Sequence, residues 1–148
     1  MAVHKIDGVD GVNHYPKKFV RLYGTAAITA GNWVQIETDT SVTDYDKNDV
    51  GASVTTADAV ANGNMAVLGI ATETTTAAGY ITIQTAGRYE SANVATSVAA
   101  GSALVVDDTS AGRAVLMVAA DVPGPCGLCL VLAASNMADV LIIDQGYF

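Results

Sequence analysis

Few residues in this chain are suited to chemistry. Cys126 and Cys129 stand at C-x-x-C spacing behind Pro123-Gly-Pro125. That spacing serves a redox dithiol or half of a zinc site. A redox dithiol needs a strand that gives way to a helix N-terminus, which lowers the thiol pKa. Here the motif runs into LVLAA, a strand-like apolar run. Residues three apart in a strand point to opposite faces. A structural zinc site needs four ligands, and the only histidines, His4 and His14, lie far away in sequence. The pair is therefore expected to be reduced and buried, packing as small hydrophobes. No metal and no cofactor is expected.

Two acidic groups invite the same question. Asp44-Tyr-Asp46-Lys-Asn48 opens like a calcium loop, but Asp49 stands where the loop needs Gly, and Thr55 stands where it needs Glu. A solvated acidic loop is the reading. Asp107-Asp108 could pair as acid and base, yet in VVDDTSAG they match ordinary turn chemistry after a strand. Glu73 and Glu90 are isolated, and no G-x-S-x-G, P-loop or G-x-G-x-x-G occurs. No catalytic residue is assigned, and the chain is not expected to be an enzyme.

The elements that would position any site are strands. Eight segments rich in β-branched or apolar residues are bounded by Gly, Asn or Asp. They are Phe19–Tyr23, Trp33–Thr38, Met65–Ala71, Tyr80–Ala86, Ala103–Asp107, Ala114–Ala120, Leu128–Ala133 and Val140–Asp144. In Tyr80–Ala86, Ile81 and Ile83 share one face, with Tyr80, Thr82 and Gln84 on the other. Gly31, Gly63, Gly79, Gly101 and Gly112 supply turns that need positive φ. Thr55–Ala61 and Ala92–Ala100 could each form two helical turns, with Ser91 capping the second and Gly101 ending it. Val and Thr are mediocre helix formers, so at most one short helix is expected. Thr38–Ser53 reads as a loop. The fold class is mainly β: a compact barrel-like single domain.

At 148 residues the chain suits one domain with a sizeable core. Charged residues make up 15%, against about 25% in an ordinary soluble domain. Small residues carry much of the 51% hydrophobic fraction. A surface this poor in charge suits life in an assembly. Net charge is −8 with only 7 basic residues, so no nucleic-acid partner is expected. The longest apolar stretches, Cys126–Ala134 and Val140–Ile143, are far shorter than the roughly 18 residues of a membrane helix. No membrane partner is expected. Asp7 and Asp10 stand where a signal peptide needs an apolar run, so a cytoplasmic product is expected.

Charge is unevenly placed. Up to Tyr23, four basic residues face two acidic ones; three basic and thirteen acidic residues follow. Residues 1–20 read as an extended N-terminal arm and 21–148 as an acidic β-rich body. Gly8 and Gly11 loosen the first segment, and Val12, Tyr15 and Phe19 offer apolar anchors. With the basic Lys17, Lys18 and Arg21 they form the candidate partner-binding set.

The stretch Thr25–Val115 carries a further signal. It runs through AITAGNWVQIE, MAVLGIATETTTAAGYITIQTAGRYE and VAAGSALVVDDTSAGRAV, a cadence of Gly turns and short strands. This cadence resembles the capsid decoration, or cement, proteins of tailed bacteriophages, many of which share a β-rich fold called the β-tulip. The resemblance implies a structural virion protein, made in the host cytoplasm and placed on the capsid exterior. It implies a homotrimer at or near three-fold positions that binds the major capsid protein of the expanded shell and clamps neighbouring subunits. Tail-tube and head-fibre components share the composition and stand as the alternative. A small C-x-x-C metal or redox protein is a third reading.

Overall fold

A computed structural model describes residues 16–36, 53–57, 67–118 and 124–146. Every regular element in them is a strand, in the order β1 (Lys18–Gly24), β2 (Trp33–Ile36), β3 (Ser53–Thr56), β4 (Val67–Ala71), β5 (Gly79–Asn93), β6 (Ala103–Val106), β7 (Ala114–Leu116), β8 (Gly127–Cys129) and β9 (Met137–Ile142). The strands hydrogen-bond in the order β1-β3-β2-β4-β5-β9-β8-β6-β7, and β1 pairs again with β5. That second pairing closes β1, β3, β2, β4 and β5 into a five-stranded barrel. The remaining strands continue from β5 as an open antiparallel sheet.

Strand β5 belongs to both halves. Its first part pairs with β1 from Lys18↔Ala86 to Gly24↔Gly79, and its second part pairs with β9 from Gly87↔Ile142. The changeover falls at Gly87, whose φ of 88° lies in the left-handed region that suits glycine. Gln84 serves this bend. Its side chain is buried, and its amide donates to the carbonyls of Ala86 at 3.0 Å and Arg88 at 2.9 Å. So Gln84 leaves the exposed face that alternation assigned to it, because carbonyls at a bend need donors. Ile81 and Ile83 keep the shared inward face.

Two apolar cores follow from this division. Ile28, Val34, Val54, Leu68, Ala71, Ile81 and Ile83 fill the barrel. Leu104, Val106, Ala138, Val140 and Ile142 fill the second, under the open sheet. Trp33 joins the halves: it sits on barrel strand β2, but its fully buried ring lies in the second core. Its Nε1–H donates to the Asn93 carbonyl at 3.2 Å. The backbone around it is tied across as well, with Trp33 N–H donating to Gly112 O at 2.9 Å and Asn93 N–H to Gly31 O at 2.9 Å.

All eight expected strands are present, several with different bounds. The ninth, β3, begins at Ser53 inside the stretch read as a loop, and Thr55 and Thr56 of the first helical candidate belong to it. Gly79 opens β5 in extended backbone instead of forming a positive-φ turn. Ala92–Ala100 is also not a helix. Ala92, Val94 and Val98 are buried in the second core, and Ser97 has a φ of 74°. Val94 N–H donates to Asn136 O and Ser97 N–H to Ala133 O, so these amides are used sideways, not along a helix.

Gly127 of β8 lies beneath the Trp33 ring. A Cβ there would stand 2.7 Å from Trp33 Cη2 and 3.1 Å from Leu141 O. Alanine normally suits a strand interior better than glycine, but here the overlap decides the sign. Gly127→Ala is expected to destabilise the protein by about 1–3 kcal/mol, read by urea unfolding through the emission of the chain's one tryptophan. A stability gain would show that the ring is not held against β8.

Candidate functional site

Among the described residues, both cysteines and Asp107 are committed to packing and turn formation. Cys126 and Cys129 are free and buried. Both join the second core, although three-residue spacing placed them on opposite faces. Cys126 precedes β8 and escapes that strand's alternation. Its Sγ–H donates to Leu104 O at 3.3 Å, and Cys129 Sγ–H donates to Val131 O at 2.9 Å. Burial pushes the Cys126 thiol up to about 12, far from the range of a reactive thiolate. The Asp44–Asn48 segment, His4 and His14 lie outside the described residues.

Asp107 and Asp108 do not form an acid–base pair. Asp107 is buried, while Asp108 is exposed. The Asp107 carboxylate accepts from the Thr109 N–H at 2.9 Å, the Thr109 hydroxyl at 2.7 Å and Arg113 Nε at 2.6 Å, with Arg113 Nη2 also in contact. It thus pins the turn between β6 and β7. Burial alone would raise this carboxyl. The Thr109 donors and the Arg113 guanidinium outweigh it and hold the group below its ordinary value.

The exposed face of β1 is a different kind of surface. Val20 and Leu22 turn inward against the barrel core. Alternation sends Phe19, Arg21 and Tyr23 outward, beside Tyr80 and Thr82 of β5. Phe19 is 57% exposed and Tyr80 64% exposed. Tyr23 and Tyr80 are directly paired across the strands, with ring centroids 5.6 Å apart and planes at 84°, an edge-to-face contact. Arg21 lies between the aromatics. It donates to Thr82 Oγ1 at 3.2 Å and stands 3.6 Å from Glu73. The Thr82 backbone N–H and then its side chain, with Arg21 assisting, hold the Glu73 carboxyl below its ordinary value.

Of the candidate partner-binding residues, Lys17, Lys18, Phe19 and Arg21 fall on or beside this exposed face. Lys18 is ion-paired with Asp144, beyond the end of β9. Val12 and Tyr15 lie outside the described residues. Strand β1 begins at Lys18, inside the segment assigned to the arm, so Lys18, Phe19 and Val20 are built into the barrel wall. Tyr23 and Tyr80 were not in the candidate set. The alternation of Ile81 and Ile83 already placed Tyr80 on the outer face, and that was the signal for it. Among the described residues the strip consists of exposed rings around an arginine, with the Glu73 carboxylate beside it.

No protein-family model matches the chain, and no curated protein matches it in sequence. A solved structure does match: "The crystal structure of head fiber gp8.5 N base in bacteriophage phi29". The likeness covers 87% of this chain and 96% of that one, with a TM-score of 0.55 at 10% identity. This chain is similar in fold to a head fiber base. At such low identity the shared property is the architecture itself: the same path of the backbone, built from almost wholly different side chains.

The buried Asp107 gives a pH test. Its folded pKa is depressed, so the stability it adds is present above its unfolded value of about 3.9 and is lost as pH falls through the folded value. Asp107→Asn keeps an acceptor for Thr109 but removes the charge partner of Arg113. At pH 7 it is expected to cost about 1–3 kcal/mol. The gap from the native protein should close between about pH 4 and pH 2. A gap that stays constant to pH 2 would contradict the ion pair.

Proposed function

We propose that this chain is a structural protein of a bacteriophage virion, seated on the outer surface of the head. The observation that carries the reading is the fold likeness to a head fiber base over nearly the full length of both chains. The cadence of Thr25–Val115 supports the same class, since it resembles phage decoration proteins. The candidate chemical groups support a structural role over a catalytic one, because Cys126, Cys129 and Asp107 are spent on packing and turn formation.

In this reading the exposed strip on β1 and β5 meets the major capsid protein. Phe19 and Tyr80 supply the apolar anchors, and Arg21 supplies orientation. Three copies act together as a homotrimer at or near three-fold positions and clamp neighbouring capsid subunits. A trimer engaging three positions gains avidity without a strong single contact. Binding only the expanded shell stabilises that shell by mass action. A second reading, a head-fibre base, is favoured by the 96% coverage of that structure. The two share attachment to the head exterior and differ in whether another segment is carried above it.

The test is co-sedimentation of purified protein with expanded and unexpanded heads of the virus that encodes it. Saturable binding to expanded heads is expected, weakened tenfold or more by Phe19→Ala combined with Tyr80→Ala. If neither form of head binds the native protein, the head-surface reading fails. If the native protein and the double variant bind equally, the reading survives but the contact surface is wrong.

A further inference from the structure

The barrel closes between β1 and β3 through a short pairing only. Strand β5 covers one edge of β1 over its whole length, from Lys18↔Ala86 to Gly24↔Gly79. On the other edge, β3 pairs with Tyr23 and Gly24 alone. Among the described residues, no strand lies opposite Phe19 or Arg21 on that side.

Two hydrogen bonds fix which way the backbone groups point. Thr72 N–H donates to Thr82 O at 3.0 Å, so Thr82 turns its backbone groups toward the β4 side of β5. Its neighbours Ile81 and Ile83 turn theirs toward β1, where they face Leu22 and Val20. Phe19, Arg21 and Tyr23 turn the opposite way. Thr25 has the same parity, and its N–H donates to Val54 O of β3 at 3.0 Å. The N–H and C=O groups of Phe19 and Arg21 therefore form a row of four along an open edge. Packing agrees with this. Ile81 and Ile83 are fully buried in the barrel core, whereas Leu22 and Val20 across from them are only partly buried. A further strand at this edge would set alternate side chains beside Val20 and Leu22 and complete their burial.

The chemistry of the edge states what fits it. A row of unpaired groups on extended backbone is a template for another extended chain. Lys17, Lys18 and Arg21 are three of the five basic residues in the described segments. Beyond Tyr23 the chain holds three basic and thirteen acidic residues. Basic side chains along the edge oppose its pairing with the same edge of another copy. They favour a strand that carries carboxylates.

We propose that the open edge of β1, at Phe19 and Arg21, takes up an extended acidic segment of a partner chain as an added strand. The residues of that segment that face the barrel are apolar, against Val20 and Leu22, and the alternate ones carry carboxylates beside Arg21. The inference rests on the capsid-binding reading above, in which the partner is a capsid subunit. It adds that backbone hydrogen bonds make the contact.

Hydrogen exchange of the full chain, with no heads present, reads the edge itself. The amides of Phe19 and Arg21 should exchange at least about a hundredfold faster than those of Val20 and Leu22. Equal protection would show that the edge is already occupied and overturns the proposal. Co-sedimentation with expanded heads reads the partner. Arg21→Ala and Arg21→Pro both remove the guanidinium, but only proline removes the N–H and sets a ring in the path of an incoming strand. Proline is tolerated on an edge whose N–H faces solvent, so the free variant should keep the buried emission of Trp33. Arg21→Pro is expected to bind at least about tenfold more weakly than Arg21→Ala. Lys17→Glu should weaken binding about tenfold as well. If the native protein binds and the alanine and proline variants bind equally, the added strand is overturned and the head-surface reading stands. If Lys17→Glu binds unchanged or more tightly, the acidic partner is overturned. A native protein that binds no heads removes the reading and the inference together.

Discussion

The double use of β5 is the constraint on which the remaining structure depends. A strand of 15 residues is far longer than the usual five or six. It can be that long only because it leaves one sheet and enters another without ending. The left-handed backbone of Gly87 makes the change of direction, and the Gln84 amide satisfies the carbonyls that the bend releases. The barrel closes on the first half of β5, and the open sheet hangs from the second. Without the bend, the two halves would compete for one surface.

A bent strand alone would leave a hinge. The Trp33 ring removes that freedom by crossing from a barrel strand into the other core and resting on Gly127. Burying an indole is worth about 3–5 kcal/mol, a large share of the roughly 5–15 kcal/mol by which domains are stable. The Gly31–Trp33 turn adds backbone hydrogen bonds to both sides of the junction. The two halves are thereby joined by packing as well as by β5. The β1 strip of the barrel presents exposed rings around an arginine.

Much of this was legible in the sequence, for identifiable reasons. Strands such as β2, β4 and β6 announce themselves because β-branched runs lie between Gly or Asp turns. The inward face of β1 and β5 follows from simple alternation of Val20, Leu22, Ile81 and Ile83. Strand β3 did not show, because Ser-Val-Thr-Thr has one apolar residue and gains its place from pairing between β1 and β2. The second half of β5 was hidden as well: Gly87 and Ser91 look like turn residues, and here they serve bends and a bulge within a strand. The stretch Ala92–Ala100 has helix-like composition, and only its long-range partners Ala114, Ala133 and Asn136 decide otherwise. Of the surface strip, Phe19 and Arg21 could be named from residue type. Its partner Tyr80 depended on register across strands that are distant in the chain.

Cryo-electron microscopy of the intact particle examines the head-surface assignment most directly. The expected map shows the five-stranded barrel and its attached sheet on the outer face of the expanded shell, with the β1 strip toward capsid subunits. Density for this fold inside the shell, stacked into a tail tube, or missing from the particle altogether would contradict it.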